Sequence, residues 1–416
     1  MPAVRVMKAR PIGLAAIVLV AGLLGVPALA AEPLPRARPE AVGLSSARLA
    51  RIRATLDADV AAGQMPGAVV AIARRGKLVY FEAIGYLDHA AKVPMPKDAI
   101  FSIASMTKPF AGVAALVLQE EGRLQLADRA DRYLPALAGV RVAAPAPAAK
   151  ATPVTTVVPA HPITLQDLMR HTSGMVYGSG ATPVTALWPP SSALSSRTWD
   201  GEAFITRVAG LPLVYQPATT WAYGVSIDVL GLVVERITQQ SLGQFLAARV
   251  FAPLDMVDTA FVVPPDKVAR YARALPRDPE TGAPQSVPDS TKATKFECGG
   301  GCAVSTAADY LRFAEMLRQQ GRLGAGRGEV RILGRKSVEL MTADHLGREI
   351  TNPSEVLEPT RAGNGFGLTM AVRRQAGLSP YLGSAGEFGW GGANGTHFWV
   401  DPHEQLVVVF MAHTPG

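Results

Sequence analysis

Several signatures that would fix a chemistry on sight are missing from this chain. There is no Gly-x-Ser-x-Gly, so a triad of the α/β-hydrolase kind lacks its nucleophile turn. No His-Glu-x-x-His occurs, and His161, His397, His403 and His413 fall at no metal-ligand spacing. A Gly-x-x-x-x-Gly-Lys phosphate loop is also absent, and Gly324–Gly328 reads as a turn. Basic residues are scattered, without a Lys/Arg block or interleaved aromatics, so nothing favours a nucleic-acid partner. Cysteine is limited to Cys298 and Cys302, and no internal repeat occurs.

What is present begins with an export signal. Arg5, Lys8 and Arg10 precede an apolar run from Ile12 to Val26, followed by Ala28-Leu29-Ala30, the three-part layout of a cleavable signal peptide over residues 1–30. The run is broken by Gly and Pro and is short for a membrane span, so no stable membrane insertion is expected after cleavage. No cysteine follows the cleavage site to take a lipid. The expected localisation is periplasmic or secreted. The formal charge of +7 includes three basic residues and no acids in residues 1–30, so by subtraction (7 − 3) the mature chain carries +4, a mild surplus. An oxidising compartment makes Cys298 and Cys302, with three glycines between them, candidates for a short-loop disulfide.

At 416 residues the chain can bury a large α/β core. After an extended Pro-rich entry (31–44), Ser45–Ala62 reads as an amphipathic helix with Leu49, Ile52, Leu56 and Val60 on one stripe. Gly67–Arg74 and Leu78–Tyr86 read as two strands of a hairpin. Residues 105–260 read mainly as helices and loops: helices at Thr164–Arg170, Gly201–Val208, Val225–Thr238 and Leu242–Phe251, with Val140–Ala160 and Ser179–Ser196 as loops. A helix from Ser305 to Arg318 leads back to strands at Gly365–Arg373, Gly395–Val400 and Gln405–Ala412. Strands at both ends with helices between predict an α+β fold: one antiparallel sheet assembled from 45–100 and 290–416, and a mainly helical part, 101–289, inserted into it.

The organising stretch is Phe101–Phe110, FSIASMTKPF. Ser105 and Lys108 stand at i and i+3, so on a helix they share a face with Cβ atoms roughly 5–6 Å apart. A serine hydroxyl is a weak nucleophile and needs a neighbouring base, which the lysine amine could be. Pro109 fits a first helical turn. On composition, about one or two Ser-x-x-Lys matches are expected by chance, so the pair needs support from elsewhere. Tyr223, in Thr220-Trp221-Ala222-Tyr223-Gly224, is a candidate second base beside the Lys108 ammonium. The glycine run Phe388-Gly389-Trp390-Gly391-Gly392-Ala393 marks a place where a ligand or another backbone comes close. A backbone N–H from this run and that of Ser105 could form an oxyanion hole. His171, just after a short helix, is read as ordering its loop rather than as a catalytic base.

Taken together, these stretches resemble the serine hydrolases of the class C β-lactamase and penicillin-recognising group, particularly their esterase branch. The resemblance rests on five ordered matches spanning nearly the whole mature chain: Phe101–Pro109; Ile163–Met169 with His171-Thr172-Ser173-Gly174; Tyr223 with Asp228–Gly231; Gly299–Gly301 with Val304-Ser305-Thr306; and Trp390-Gly391-Gly392 with Phe398–Pro402. It implies Ser105 as the acylated nucleophile, Lys108 and Tyr223 as the proton-transfer pair, and Ser105 and Ala393 as oxyanion donors. Trp390, Gly391 and Gly392 would then line the substrate site, with no cofactor or metal required. Val225 stands where the lactamases have an Asn, and Trp390 where they and the peptidases have Lys or His. Both replacements favour a small neutral ester over a β-lactam or a peptide carboxylate. A third departure is that Gly416 follows soon after the last strand, where relatives usually continue into a helix over the sheet.

Overall fold

In the computed structural model the described residues are Pro2, 32–144, 154–352 and 362–415. The segment read as a signal peptide falls outside them. Strand β1 (Gly67–Arg74) is buried along nearly its whole length, with Ala68, Val70 and Ile72 on one side and Val69, Ala71 and Ala73 on the other. A strand apolar on both faces needs cover on both. Helix α1 (Ser46–Ala61) supplies one layer, packing Leu49, Ile52, Leu56 and Val60 over the Ala68 side. Helix α8 (Ala307–Arg318) supplies the other, with Ala307, Tyr310, Leu311 and Ala314 in the same core as Val69 and Ala71.

Around β1 an eight-stranded antiparallel sheet is completed by β2 (Lys77–Asp88), β3 (Val93–Pro94), β4 (Asn364–Phe366), β5 (Ala371–Arg373), β6 (Phe388–Gly392), β7 (Thr396–Asp401) and β8 (Leu406–Ala412). Their order across the sheet is β4-β5-β6-β7-β8-β1-β2-β3. Because β8 pairs with β1, the two ends of the chain meet in the centre, as the strand pattern predicts. The β1–β2 turn has Arg75 and Gly76 both at positive φ, the pairing that suits the twist of a two-residue hairpin.

The inserted part contains α2 (Lys108–Glu120), α3 (Leu165–Met169), α4 (Ser192–Thr198), α5 (Gly201–Ala209), α6 (Ser226–Thr238) and α7 (Leu242–Leu246). Helix α2 is buried from Lys108 to Leu118 and packs against α6.

Four local expectations need correction. The entry segment is not wholly extended, because Pro39–Val42 forms a 3-10 turn that buries Val42. The stretch 179–196 is not all loop: Ser191 caps α4 by accepting from the Leu194 N–H. Within 140–160, Val142–Ala143 pairs with Thr156–Val157, residues 145–153 lying outside the described set. Residues 365–373 are two strands, not one: Thr369 takes φ 76° in the turn that folds β5 back on β4.

Candidate active site

The nucleophile turn is clamped on every side before it bends. Phe101 and Ser102 pair with Ser305 and Val304, and Ile103 N–H donates to Ala303 O at 3.0 Å. Ser102 N–H donates to His413 Nε2 at 3.0 Å, while Asn394 Nδ2 donates to Ser102 O at 3.1 Å. Gly392 lies so close that a Cβ there would come within 2.3 Å of Ile103 O, which only glycine avoids. Ala104 then takes φ 43°, and Ala104–Thr107 forms a 3-10 turn leading into α2. This left-handed residue, uncommon for alanine, turns the chain so that Ser105 faces the cavity and Lys108 lies behind it.

Lys108 is fully buried, yet its amine is well supplied with partners. Nζ donates to Gly300 O at 2.6 Å, contacts Ser105 Oγ at 3.0 Å and Tyr177 Oη at 3.4 Å, and lies 4.5 Å above the Tyr223 ring. The last distance is in the range of a cation–π contact.

The Tyr177 hydroxyl leads away from the amine into a buried polar relay. It is 2.7 Å from Ser192 Oγ, which donates to Asp228 Oδ2 at 2.6 Å, and Asp228 Oδ1 accepts the Gly300 N–H at 2.8 Å. Ser192 has one proton and gives it to the carboxylate, so Tyr177 is the donor in its pair with Ser192. The Tyr177 oxygen is therefore an acceptor for Lys108. Burial, reinforced by the Asp228 charge and by Tyr223, pushes the Tyr177 phenol well above its usual range, so Tyr177 keeps its proton. Burial also raises Asp228, to about 6, against the opposing pull of Ser192, Lys108 and the Gly300 N–H.

These directions determine what the amine can do. A neutral lysine has two N–H groups and one lone pair. Gly300 O only accepts and Tyr177 accepts for the reason above, so both N–H groups are engaged there. The charged amine donates its third N–H to Ser105 Oγ; once that proton is gone, the lone pair left there faces the Ser105 hydroxyl, the arrangement a general base requires.

Tyr223 is held differently. Its hydroxyl accepts from Trp390 Nε1 at 3.1 Å, and its ring packs tilted against that of His171, the centroids 4.7 Å apart. His171, at φ 58°, takes the Ala222 N–H on its carbonyl at 2.8 Å and the Gly224 N–H on Nδ1 at 3.4 Å. Burial, and then the Lys108 charge, push its imidazole well below its ordinary range, so it stays neutral. The expectation that His171 orders its loop extends to the tyrosine itself. Tyr223 thus meets Lys108 through its ring face rather than through its hydroxyl.

One cavity of about 750 Å³ is lined by Ser105, Tyr223, Trp390, Gly391, Gly392 and Ala393, bringing every exposed member of the expected site to one place. Its outer wall includes Phe388, Trp399, Tyr381, Leu382 and the Arg373–Glu387 ion pair, whose N···O distance is 2.9 Å. Among the described residues no group of three or more His, Cys, Asp or Glu could hold a metal. Sequence reasoning gave no role to Tyr177, Ser192, Asp228 or Gly300. Asp228 had a usable signal, being a lone carboxylate in the apolar run Ile227–Val234.

A Ser-x-x-Lys pair with its lysine buried, set against a glycine-rich strand of an antiparallel sheet, defines a serine hydrolase of the β-lactamase and transpeptidase fold. Comparison with known proteins agrees: residues 52–416 match the Beta-lactamase family model, and the chain belongs to that family. It is 37% identical to Protein Rv1367c of Mycobacterium tuberculosis over 85% of this chain and 87% of that one. It is 30% identical to Esterase EstB of Burkholderia gladioli over 90% and 93%. Among solved structures, EstCE1, "a hydrolase with promiscuous acyltransferase activity", superposes with a TM-score of 0.74 at 26% identity, covering 88% of this chain and 93% of that one. Simvastatin synthase LovD of Aspergillus terreus shares the fold, with a TM-score of 0.73 at 23% identity and 89% and 93% coverage.

Proposed function

We propose that this protein is a periplasmic or secreted esterase that cleaves small or short-chain carboxylic esters through an acyl-enzyme on Ser105. The observation that carries the reading is the buried Lys108 amine 3.0 Å from the Ser105 hydroxyl beside a cavity whose inner wall is neutral. Lys108 takes the Ser105 proton as the oxygen attacks the ester carbonyl. The backbone N–H groups of Ser105 and Ala393 take the developing oxyanion, a contribution whose loss costs roughly 100- to 1000-fold in rate. Tyr223, inside the cavity and fixed by Trp390, serves as the proton-transfer group for the departing alcohol, and water repeats the attack on the acyl-enzyme. Where a lactamase or peptidase has Lys or His to meet a carboxylate, Trp390 offers one neutral N–H, already given to Tyr223. The relative named Esterase EstB supports ester substrates. Export is supported by the N-terminal sequence and by the bonded Cys298–Cys302 pair, which suits an oxidising compartment.

The test is a substrate panel of p-nitrophenyl acetate and butyrate, nitrocefin and a D-Ala-D-Ala peptide, run on wild type and Ser105→Ala. Ester turnover that Ser105→Ala abolishes is the expected result. Strong nitrocefin turnover with little ester cleavage would replace an esterase by a β-lactamase. A long-lived acyl adduct on Ser105 with every ester, seen by intact-mass spectrometry, would indicate a non-turnover binder. Acyl transfer to an alcohol is a second reading, favoured by a cavity with room beyond a short ester and by the promiscuous acyltransferase activity of EstCE1. Adding a primary alcohol and measuring the new ester against free acid separates it from hydrolysis.

A further inference from the structure

The turn that supplies the Gly300 carbonyl is the segment Cys298-Gly299-Gly300-Gly301-Cys302, closed by the disulfide between its ends. Two of its three glycines are there for space. A Cβ on Gly299 would come within 2.6 Å of Ile227 O, and one on Gly300 within 2.5 Å of both Asp228 Oδ1 and Ser192 Oγ. Three successive glycines are also the most conformationally free stretch a chain can have. The acceptor that orients the catalytic amine therefore sits on a segment with little stiffness of its own. Covalent closure supplies it.

We propose that the Cys298–Cys302 bridge is a positioning element of the catalytic centre. It fixes the Gly300 peptide so that its carbonyl holds Lys108 while its N–H holds Asp228. Both neighbours of the turn make the same connection. Cys302 Sγ is 3.2 Å from Ser196 Oγ on α4, the helix that carries Ser192, and the next residue, Ala303, donates its N–H to Thr107 Oγ1 and accepts from Ile103 N–H. The loop closed is only five residues long, and the stabilisation from closing a loop shrinks as the loop shortens, which weights the bridge toward local order rather than global stability. The proposal rests on the acyl-enzyme reading above, with Ser105 as nucleophile and Lys108 as base.

The test compares wild type, Cys298→Ala/Cys302→Ala, Gly300→Ala and the triple variant, each as the full mature chain with circular dichroism as a check on folding. Two rates are measured: modification of Ser105 by a fluorophosphonate, located by mass spectrometry, and kcat and KM for p-nitrophenyl butyrate. Bridge removal is expected to lower both the modification rate and kcat by about tenfold or more, with KM within threefold. Gly300→Ala, which keeps the bridge, should do the same. Because the two changes act through one peptide group, the triple variant should fall no more than threefold below the worse of the two, whereas independent effects would multiply. A folded bridge-free variant modified within twofold of wild type overturns the proposal, as do losses that multiply. Should the bridge-free variant not fold, Cys298→Ser/Cys302→Ser, which opens the bridge while keeping side-chain size, decides: a tenfold loss at unchanged KM supports positioning by the bridge, and an unchanged rate overturns it. A wild type that the reagent does not modify at Ser105 overturns the acyl-enzyme reading and this proposal with it, an outcome distinct from a modified wild type with an equally reactive variant.

Discussion

The two sides of Ser105 are built from opposite materials. Behind it, Lys108, Ser192 and Asp228 are almost wholly shielded from solvent and joined by hydrogen bonds with fixed directions. In front, Tyr223, Trp390, Phe388 and Trp399 wall an open cavity with aromatic surface and few directed contacts. Low dielectric strengthens a satisfied polar network and penalises an incomplete one, so the rear side is rigid and intolerant of change. Apolar walls follow the shape of a ligand, so the front side can vary. Apart from Tyr223 and the Trp390 N–H that fixes it, proton handling is thereby separated from substrate choice: damage at the rear should appear in kcat, and damage at the rest of the front in KM or in substrate preference.

The largest break in this contrast is expected from Lys108→Met, which keeps length and removes the base. General-base catalysis is worth about 100- to 10,000-fold, and a loss of that order in kcat with KM within threefold is expected in steady-state assays on p-nitrophenyl butyrate. Next comes Asp228→Asn. An amide cannot accept from both Ser192 and the Gly300 N–H as a carboxylate does, and an unsatisfied buried polar group costs about 1–3 kcal/mol, or roughly 5- to 150-fold in kcat. Because the relay needs Asp228 ionised, wild-type kcat/KM should rise through pH 6, and this limb should flatten in Asp228→Asn. A limb near pH 6 that persists in the variant would assign it to another group. Trp390→Phe removes one neutral N–H from Tyr223 and should cost about 10-fold. Tyr381→Ala, on the outer wall, should raise KM by about two- to threefold and leave kcat within twofold, in line with losing part of an apolar contact.

The smallest effect concerns stability. Burial lifts the Asp228 carboxyl from its ordinary 3.8 to about 6 in the fold, so its stabilising contribution is complete below 3.8 and lost as pH rises through 6. The difference in Tm, Asp228→Asn minus wild type, should therefore grow between pH 4 and 6 and level off above pH 7. A difference independent of pH would mean that the carboxylate does not titrate in that window.

How much of this was legible in the sequence follows from the range of the interactions. Ser105 and Lys108 could be paired because three residues on a helix bring them together, and β1 and β2 could be read because their apolar runs and turn are local. Tyr177 and Gly300 reach Lys108 from 69 and 192 residues away, and no periodicity reports such contacts. Helix α4, at seven residues, is too short to show an amphipathic repeat, so Ser192 was hidden in what read as a loop. Thr369 is β-branched and reads as strand, yet it occupies a positive-φ turn that the local pattern does not announce. Tyr223 was found for the right neighbourhood but with the wrong contact: the sequence suggested a hydroxyl beside the amine, and the fold offers the amine a ring face.

The position of β8 has a consequence for synthesis. Its strand is made after every residue of the site, yet it lies between β7 and β1, and His413 just beyond it takes the Ser102 N–H. A nascent chain that has emerged only as far as β7 has a gap in mid-sheet and lacks the His413 acceptor for the Ser102 N–H in the segment leading to Ser105. The ribosome can thus complete the nucleophile long before the enzyme exists, and a chain threaded unfolded through a membrane would stay inert toward esters on the side where it was made.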